Sequence, residues 1–283
     1  EYIPEGCFFG VNISELILPD SVIQVDDSAF GSCTNLRHII LNEGLKRIGN
    51  DVFGGISNKI DSVWVPSSVD KMGSNVFTRA NIFFEGKNLP SDISNEWNQN
   101  TDKDKIIMNC GKIKETAGLY YYVDDEGAVA VYYGGENKEF TAVLPDNQEI
   151  YAVCDGCFKN NEYLEYINLG DSVKEIGEST FKDCNKLRTV QFGVTVEKID
   201  DRAFQNCEQL RELNVLKNIK SIGESAFEAC VNLDFSGMNT NIKKIGNNAF
   251  MDSGIQFFEC NGLTDGILNQ GVFFQCNKLK TVK

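Results

Sequence analysis

A phenylalanine that recurs at an almost constant interval is the strongest constraint on how this chain can fold. From Phe158 to Phe273 it returns every 23 residues, and the same frame runs from Phe8 to Phe77 with spacings of 22, 23 and 24 residues. The ten anchors are Phe8, Phe30, Phe53, Phe77, Phe158, Phe181, Phe204, Phe227, Phe250 and Phe273. A fixed period of this length is the sequence signature of a repeat protein, in which each unit buries its apolar face only against its neighbours.

The positions around each anchor repeat with it. The residue before the anchor is small or short, the residue five positions before it is apolar, and a glycine often follows that apolar residue. A leucine commonly stands six positions after the anchor, and five of the repeats carry a cysteine three positions after it. These cysteines are Cys33, Cys184, Cys207, Cys230 and Cys276.

Each repeat therefore predicts one coil with three parts. The alternating end of the stretch from Ile167 to Leu169 predicts a short strand with one buried face. The glycine predicts a sharp reversal, because glycine adopts backbone angles that other residues avoid. The apolar residues at the anchor, one before it and three after it match one face of a helical turn, so we expect a short helical turn there.

The most regular coil carries a resemblance to a known family. The stretch from Ile222 to Leu233 reads Ile-Gly-Glu-Ser-Ala-Phe-Glu-Ala-Cys-Val-Asn-Leu, and Ile245 to Phe250 repeats its first half. It resembles the BspA-like leucine-rich repeat family, over residues 1–86 and 150–283. The resemblance implies an α/β fold: a right-handed solenoid of coils of about 23 residues, with a parallel β-sheet on its concave face and short helical turns opposite. It also implies a secreted or surface-exposed bacterial or protist protein that binds other proteins or matrix.

An interruption between Phe77 and Phe158 divides the repeats into two blocks. Residues 1–111 form the first, and we expect residues 87–111 to close it as a terminal cap, since an end coil must shield its core from water. Residues 112–283 form the second, which begins with two β-prone runs around a turn that ends in glycine. This pattern predicts a β-hairpin cap over residues 118–133. Both ends of the sequence fall within a coil, so we expect the chain to be part of a longer protein.

Composition excludes several classes of function. The chain has 41 acidic and 27 basic residues and a formal charge of −14, which disfavours nucleic acid or an anionic membrane as partner. It has no apolar run near the ~18 residues of a membrane span. His38 is the single histidine and falls at an outward position of a predicted strand, where we expect a surface residue. Since no convergent catalytic set is present, we expect neither an enzyme nor a cofactor or metal site.

The ten cysteines have a structural interpretation. Seven of them stand in two apolar columns of the repeat, and free cysteine is among the most buried residue types, so we expect reduced structural thiols. Neighbouring coils would bring column cysteines about 5 Å apart, which leaves a Cys184–Cys207 or Cys207–Cys230 disulfide open. Cys154 and Cys157 form a CxxC pair, but no second pair with zinc spacing accompanies it.

The outward side of the strand ladder is the predicted binding surface. Side chains alternate along a strand, so the residues eight and ten positions after the anchor point away from the core. Allowing for coils that are shifted by one residue, in the first block they are Glu15, Ile17, His38, Ile40, Ser62 and Trp64, and in the second Tyr166, Asn168, Thr189, Gln191, Glu212, Asn214 and Phe235. Ile17, Ile40 and Trp64 would form an apolar row facing solvent, and such rows often mark contact sites.

These observations favour a non-enzymatic binding or adhesion module, and the family resemblance implies that it acts at the cell surface or outside the cell. Its ligand would be a protein or a matrix glycan, neutral or basic rather than anionic because the chain itself is acidic. We expect a monomer. The alternative is a structural spacer that presents another domain of a longer surface protein. Burial of Trp64 would favour the spacer, because the apolar row would then be core.

Overall fold

The fold is described from a computed structural model, which covers residues 1–56, 60–77, 79–98, 106–141, 144, 148–191, 193–214, 218–234, 242–259, 263 and 268–282. The chain divides into two compact units, Glu1–Ile113 (unit 1) and Lys114–Lys283 (unit 2). Each unit is a β-solenoid of coils of about 23 residues built on parallel strands. Among the described residues, no helix is long and apolar enough to cross a membrane.

Unit 1 contains two five-stranded parallel sheets. Its strands are β1 (Tyr2–Ile3), β2 (Glu15–Ile17), β3 (Gln24–Val25), β4 (His38–Ile40), β5 (Arg47–Ile48), β6 (Ile60–Val65), β7 (Lys71–Met72), β8 (Ala80–Phe84), β9 (Asp92–Ile93) and β10 (Ile106–Ile107). One sheet has the order β1-β3-β5-β7-β9 and is called the short-strand sheet below. The other, with the order β2-β4-β6-β8-β10, is called the ladder sheet. Each coil contributes one strand to each sheet.

Unit 2 repeats this plan after a meander. Its strands are β11 (Lys114–Thr116), β12 (Leu119–Val123), β13 (Ala128–Tyr133), β14 (Glu139–Thr141), β15 (Ile150–Val153), β16 (Tyr166–Asn168), β17 (Glu175–Ile176), β18 (Thr189–Gln191), β19 (Lys198–Ile199), β20 (Glu212–Asn214), β21 (Ser221–Ile222), β22 (Lys244–Ile245), β23 (Phe257–Phe258) and β24 (Thr281–Val282). The short-strand sheet runs β11-β12-β13-β15-β17-β19-β21-β22, the ladder sheet runs β14-β16-β18-β20, and β23 pairs with β24. Strands β12 and β13 pair antiparallel, which confirms the predicted hairpin.

Stacked phenylalanine rings form the spine of each unit. In unit 2 the rings of Phe158, Phe181, Phe204 and Phe227 follow one another with centroids 5.0, 5.1 and 5.3 Å apart and planes within 14° of parallel. The rings of unit 1 stack in the same way, at 5.2 to 5.8 Å. The predicted anchor column is confirmed, because each ring buries its faces against the rings of the coils before and after it.

The two stacks meet different aromatic residues where the repeat is interrupted. In unit 1 the indole of Trp97 meets Phe77 edge-on, with centroids 6.3 Å apart and planes at 89°. In unit 2 Tyr133, at the end of the hairpin, lies against Phe158 at 5.3 Å. Both residues are buried. An aromatic residue outside the repeat pattern therefore covers the ring that would otherwise end the stack.

The segment around each anchor is not helical, so the predicted helical turns are wrong for the part of the chain that the structure describes. At all ten anchors the residues two positions before and two after have a positive φ, which a right-handed helix does not tolerate. The amides of Ser28, Phe30 and Ser32 donate to carbonyls of the next coil at 2.8 to 3.0 Å. Alternate amides of the segment therefore bond to another coil, while the amides of Gly31 and Cys33 make local turns to Ser28 and Phe30, so the continuous hydrogen bonding of an α-helix is absent from this segment.

The regularly spaced glycines also have a different role from the predicted one, which was to permit a sharp reversal of the chain. Gly49, Gly73, Gly177, Gly223 and Gly246 do not have a positive φ. A Cβ on Gly73 would lie 2.6 Å from the carbonyl oxygen of Gly49, and one on Gly49 would lie 2.7 Å from the amide nitrogen of Asp27. The glycines are needed because the backbone of the preceding coil passes where a side chain would be, and not for a special turn angle.

Candidate functional site

The candidate site is the outward side of the ladder sheet in each unit, called the ladder face. The central residue of each ladder strand points into the core, as Ile39 and Val63 do in unit 1 and Ile167 and Val190 do in unit 2. Because side chains alternate, the residues on either side of these points lie on the opposite side of the sheet. For the predicted site residues whose side chains the structure describes, the strand assignments of the sequence-based prediction therefore give the intended side of the sheet.

In unit 1 the ladder face contains an apolar row that runs through all five strands. The register joins Ile17 to Ile40, Ile40 to Trp64, Trp64 to Phe83, and Phe83 to Ile107. The row is exposed at its two ends, with Ile17 at 46% and Ile107 at 38%, and closed in the middle, with Trp64 and Phe83 at 1%. The sequence prediction missed Phe83 and Ile107 because they follow the interruption, although the alternation in Ala-Asn-Ile-Phe-Phe was a usable signal.

The middle of this row is therefore not open to solvent. The prediction of exposure is wrong for Trp64, His38 and Ser62, which are all buried, and Ile40 is half-buried. The alternation of a strand fixes the side of the sheet on which a residue lies, but it does not fix whether that side is covered. Within the sheet Trp64 has a bulky neighbour on each side, Ile40 and Phe83. Of the predicted unit 1 residues, Ile17 stays exposed and Glu15 is half-buried.

His38 illustrates the same point for a polar residue. Its ring nitrogen Nδ1 lies 2.9 Å from Oγ of Ser62 on the neighbouring strand, and both residues are buried. A buried imidazole needs such a partner, because a polar group without a hydrogen bond is costly away from water. The interpretation of His38 as a surface histidine is therefore wrong.

In unit 2 the ladder face is polar and half-exposed. The register places Tyr166 beside Thr189 and Asn168 beside Gln191. The hydroxyl of Tyr166 donates to Oε1 of Gln191 at 2.7 Å, and Oδ1 of Asn168 accepts the amide of Gly170 at 2.9 Å. All four side chains are partly accessible. This face presents hydrogen-bonding groups that the core does not use.

For the remaining predicted residues of unit 2, the structure describes less than it does for these four. Glu212 and Asn214 continue the register beyond Thr189 and Gln191. Phe235 lies outside the described residues. Beside the face, Glu165 accepts a hydrogen bond from Lys138 at 3.0 Å and lies 3.6 Å from Arg188. The hydrogen bond from Lys138 lowers the pKa of Glu165, so this carboxylate stays ionised and is paired with cations of the same chain.

The cysteine column is structural. The thiols of Cys184, Cys207 and Cys230 each donate to the carbonyl of the anchor phenylalanine one coil earlier, at 3.0 to 3.1 Å. Burial raises the pKa of Cys184 to about 12, and it also raises the pKa of Cys207 and of Cys230. All nine described cysteines are free thiols. The alternative of column disulfides is therefore not realised among them.

The CxxC pair has no redox or metal-binding setting. Cys157 is buried, and burial raises the pKa of its thiol well above the ordinary value, whereas reactive cysteines have a lowered pKa. Within the described part of the chain, no group of three or more histidine, cysteine, aspartate or glutamate residues could hold a metal ion.

Comparisons with known proteins agree with this architecture. A family model described as BspA type Leucine rich repeat region matches residues 1–115 and 151–282, in six copies. No curated protein matches the chain. Among solved structures, the T. pallidum leucine rich repeat protein TpLRR is 22% identical, with a TM-score of 0.52 over 60% of this chain and 81% of that one. This likeness shows the fold.

Two further structures are similar at lower scores. The pneumococcal vaccine antigen PcpA is 18% identical with a TM-score of 0.48, and the match covers 85% of this chain and 60% of that one. A leucine rich cell surface protein from Faecalibacterium prausnitzii is 18% identical with a TM-score of 0.42, over 80% of this chain and 64% of that one. This chain therefore spans less than two thirds of the length of both.

Proposed function

Because the chain belongs to the BspA-type leucine-rich repeat family, we propose that it is a non-enzymatic binding module that acts at the cell surface or outside the cell. Its ligand is a protein or a matrix glycan, held on the ladder face. One observation supports this most directly: unit 2 presents a row of half-exposed hydrogen-bonding side chains that contribute nothing to the core. Because these side chains do not stabilise the core, the requirements of a partner can determine which residues stand there.

The mechanism is complementarity of shape and hydrogen bonding, without chemistry. Parallel strands about 4.8 Å apart place equivalent side chains in rows, so a ligand that crosses several coils meets one contact per coil. In unit 2 the contacts are Tyr166, Asn168, Thr189 and Gln191. In unit 1 the exposed residues of the apolar row are Ile17 and Ile107, at its two ends, since Trp64 is buried. Within each unit, the concave curvature and right-handed coiling implied by the family would turn the row of that unit towards a ligand.

A structural spacer is the second candidate. The burial of Trp64 and Ser62 favours it, because the apolar row of unit 1 then stabilises the fold and offers no open surface in its middle. Ion pairs also link successive coils on the short-strand sheet of unit 2, as Lys198 with Glu175 at 2.5 Å and Lys220 with Glu197 at 2.6 Å. A spacer would need such links and no ligand.

A binding screen separates the two functions. The chain is tested against arrays of extracellular matrix proteins and of glycans, and every hit is repeated with Tyr166→Ala/Gln191→Ala. The matched control is Lys174→Ala/Glu175→Ala, two exposed residues of the short-strand region of the same unit. A partner lost with the first variant and kept with the control supports the binding module. Absence of any partner, or a partner lost only with the control, contradicts it.

A further inference from the structure

The oxygen atoms of two amide side chains on the unit 2 ladder face are already occupied. Oε1 of Gln191 accepts the hydroxyl of Tyr166, and Oδ1 of Asn168 accepts the backbone amide of Gly170. The backbone amide of Gly170 can only donate, so it fixes the orientation of the Asn168 amide, and the hydroxyl of Tyr166, which donates to Oε1 of Gln191, leaves the NH₂ group of that side chain on the other side. Among the described residues, neither NH₂ group has an acceptor.

The two NH₂ groups form a short donor row. Asn168 and Gln191 are register partners on adjacent parallel strands, so their backbones are about 4.8 Å apart. Each NH₂ group can donate two hydrogen bonds. Because both side chains already hold a hydrogen bond within the protein, a ligand has less to order when it binds, which lowers the cost of binding. The row selects a ligand rich in hydrogen-bond acceptors.

The charge and the apolar surface around the row limit further the chemical class of ligand that it can bind. The chain carries a formal charge of −14, and two of the cations beside the face, Lys138 and Arg188, lie against Glu165. A polyanion would therefore meet an unfavourable long-range field, and these two cations are already paired with a carboxylate of the chain. Within the described residues of this face, the apolar surface consists of the ring of Tyr166 and the methyl groups of Thr141 and Thr189, which is little for a protein hot spot.

We propose that the ladder face of unit 2 binds an uncharged glycan whose hydroxyl or acetamido oxygens accept from Asn168 and Gln191, with a sugar ring against Tyr166. This proposal rests on the binding function proposed above and names its ligand class. A neutral sugar chain supplies acceptors at regular intervals and an apolar ring face, and it brings no charge into an acidic surface. Protein partners and sulfated glycans are the alternatives that the experiment must separate.

Two substitutions remove the donors and leave the rest of the face in place. Gln191→Glu keeps an oxygen that accepts from Tyr166, and Asn168→Asp keeps an oxygen that accepts from Gly170. Each replaces an NH₂ donor with a carboxylate acceptor of the same shape. The control is Asn185→Asp, which makes the same chemical change at an exposed turn residue between coils. Circular dichroism and melting temperature establish that all three variants fold as the original chain does.

The experiment uses arrays of neutral oligosaccharides, namely hexamers built from glucose, mannose, galactose or N-acetylglucosamine, followed by calorimetry on each hit. We expect at least one hexamer to bind, the Asn168→Asp/Gln191→Glu variant to lose about tenfold or more in affinity, and Asn185→Asp to stay within about twofold. The same variants are tested on arrays of matrix proteins and of sulfated glycans.

The outcomes distinguish this proposal from the broader function. If no neutral hexamer binds but a matrix protein binds and is lost with Tyr166→Ala/Gln191→Ala, the binding function stands and the glycan proposal is overturned. Selective binding of sulfated glycans also overturns it. A hexamer that binds equally to the donor-free variant shows that the amides are not the contacts, and this too overturns the proposal. Binding of nothing on any array overturns both.

Discussion

The two units share their inward columns and differ in their outward rows. In both, the anchor rings stack at 5 to 6 Å and the same glycine column allows neighbouring coils to approach. On the ladder face, however, unit 1 has the apolar row that contains Trp64 and Phe83, whereas unit 2 has the polar row that contains Asn168 and Gln191. An inward position must fit the same position of the coils on either side, so it cannot change alone. An outward position has no such requirement, which makes it the place where function can vary.

The cysteine column is an exception, since it is inward and yet differs between the units. Three positions after the anchor, unit 2 has Cys184, Cys207 and Cys230 in consecutive coils, while unit 1 has Cys33 followed by Ile56 and Ala80. The thiol is a weak donor that reaches the carbonyl of the preceding anchor. Stacking of the rings therefore continues with or without this hydrogen bond, and the column tolerates apolar residues of different size in its place.

The largest predicted difference between the units is their response to alkaline pH. Unit 2 has four fully buried thiols, Cys157, Cys184, Cys207 and Cys230, whose pKa is raised by burial from the ordinary 9.0. Below pH 9 the thiols are protonated in both the folded and the unfolded state, so stability is complete. Above pH 9 the unfolded state releases protons that the folded state keeps, and each thiol then lowers the unfolding free energy by about 1.4 kcal/mol per pH unit.

At pH 10 we therefore expect unit 2 to lose about 5 kcal/mol relative to pH 7, and unit 1 much less. Both tryptophans, Trp64 and Trp97, lie in unit 1, so tryptophan fluorescence during urea unfolding follows that unit alone, while far-ultraviolet circular dichroism follows both. The triple variant Cys184→Ala/Cys207→Ala/Cys230→Ala should remove most of the pH dependence. An equal loss in both units, or a loss that the triple variant keeps, would show that the thiols are not its cause.

The next prediction tests whether the anchor columns are equivalent. Phe53 in unit 1 and Phe204 in unit 2 are both fully buried and have a stacked ring on each side. Replacing either with alanine should cost about 3–5 kcal/mol, because the two neighbouring rings cannot close the cavity. Phe8, which is 41% exposed, is the control within the same column and should cost much less. Losses below ~1 kcal/mol at Phe53 or Phe204, measured by urea unfolding, would contradict the stacked core.

The sequence alone was enough to predict the repeat length, the anchor column and the ladder strand of each coil, but not the second strand that each coil contributes to the short-strand sheet. These follow from the identity of residues at one spacing, because a column buried against itself must keep its chemistry. The helical turns could not be excluded in the same way. Apolar residues at the anchor, one before and three after fit a helical turn, and they also fit the segment that the structure contains. What separates the two is the partner of the Phe30 amide, which is Val52 in the next coil, and no local pattern shows that partner.

The third prediction concerns the glycine column, where both units should respond alike and for a steric reason. A Cβ on Gly223 or on Gly49 would meet the backbone of the preceding coil. We expect Gly223→Ala and Gly49→Ala to cost about 1–3 kcal/mol each, the range for forcing extra atoms into a packed site. Gly170 is a useful contrast, since it has open space but a φ of +77°, so alanine there is strained by its backbone and not by contact. The measurement is the unfolding free energy of each variant. A loss in the contrast variant alone would restore the turn-angle explanation.

The candidate site was predictable in position but not in environment. Strand alternation correctly separated Trp64 from Val63 and Asn168 from Ile167, since that separation is a property of each strand by itself. The accessibility of Trp64 depends on what lies over the sheet, and a row of alternating letters contains no information about that. The hydrogen bonds that orient Asn168 and Gln191 were also hidden, because each depends on the exact position of a second side chain or a turn amide.

The smallest predicted effect compares the two ladder faces directly, with one hydroxyl removed from each. Ser62→Ala removes the hydrogen bond to a buried ring nitrogen of His38, and the loss should be about 1–3 kcal/mol because that nitrogen is shielded from water. Tyr166→Phe removes the hydrogen bond to Gln191 on a half-exposed face, where water replaces it, so we expect less than about 1 kcal/mol. Urea unfolding at pH 7 measures both, with tryptophan fluorescence for the first and circular dichroism for the second. If Ser62→Ala costs as little as Tyr166→Phe, the outward face of unit 1 is as open to water as that of unit 2, and the row of Ile17, Ile40 and Trp64 returns as a candidate contact surface. A clear difference between the two losses of unfolding free energy would mean that the outward side of the ladder sheet stabilises the fold in unit 1. In unit 2 the same side would remain available to a ligand.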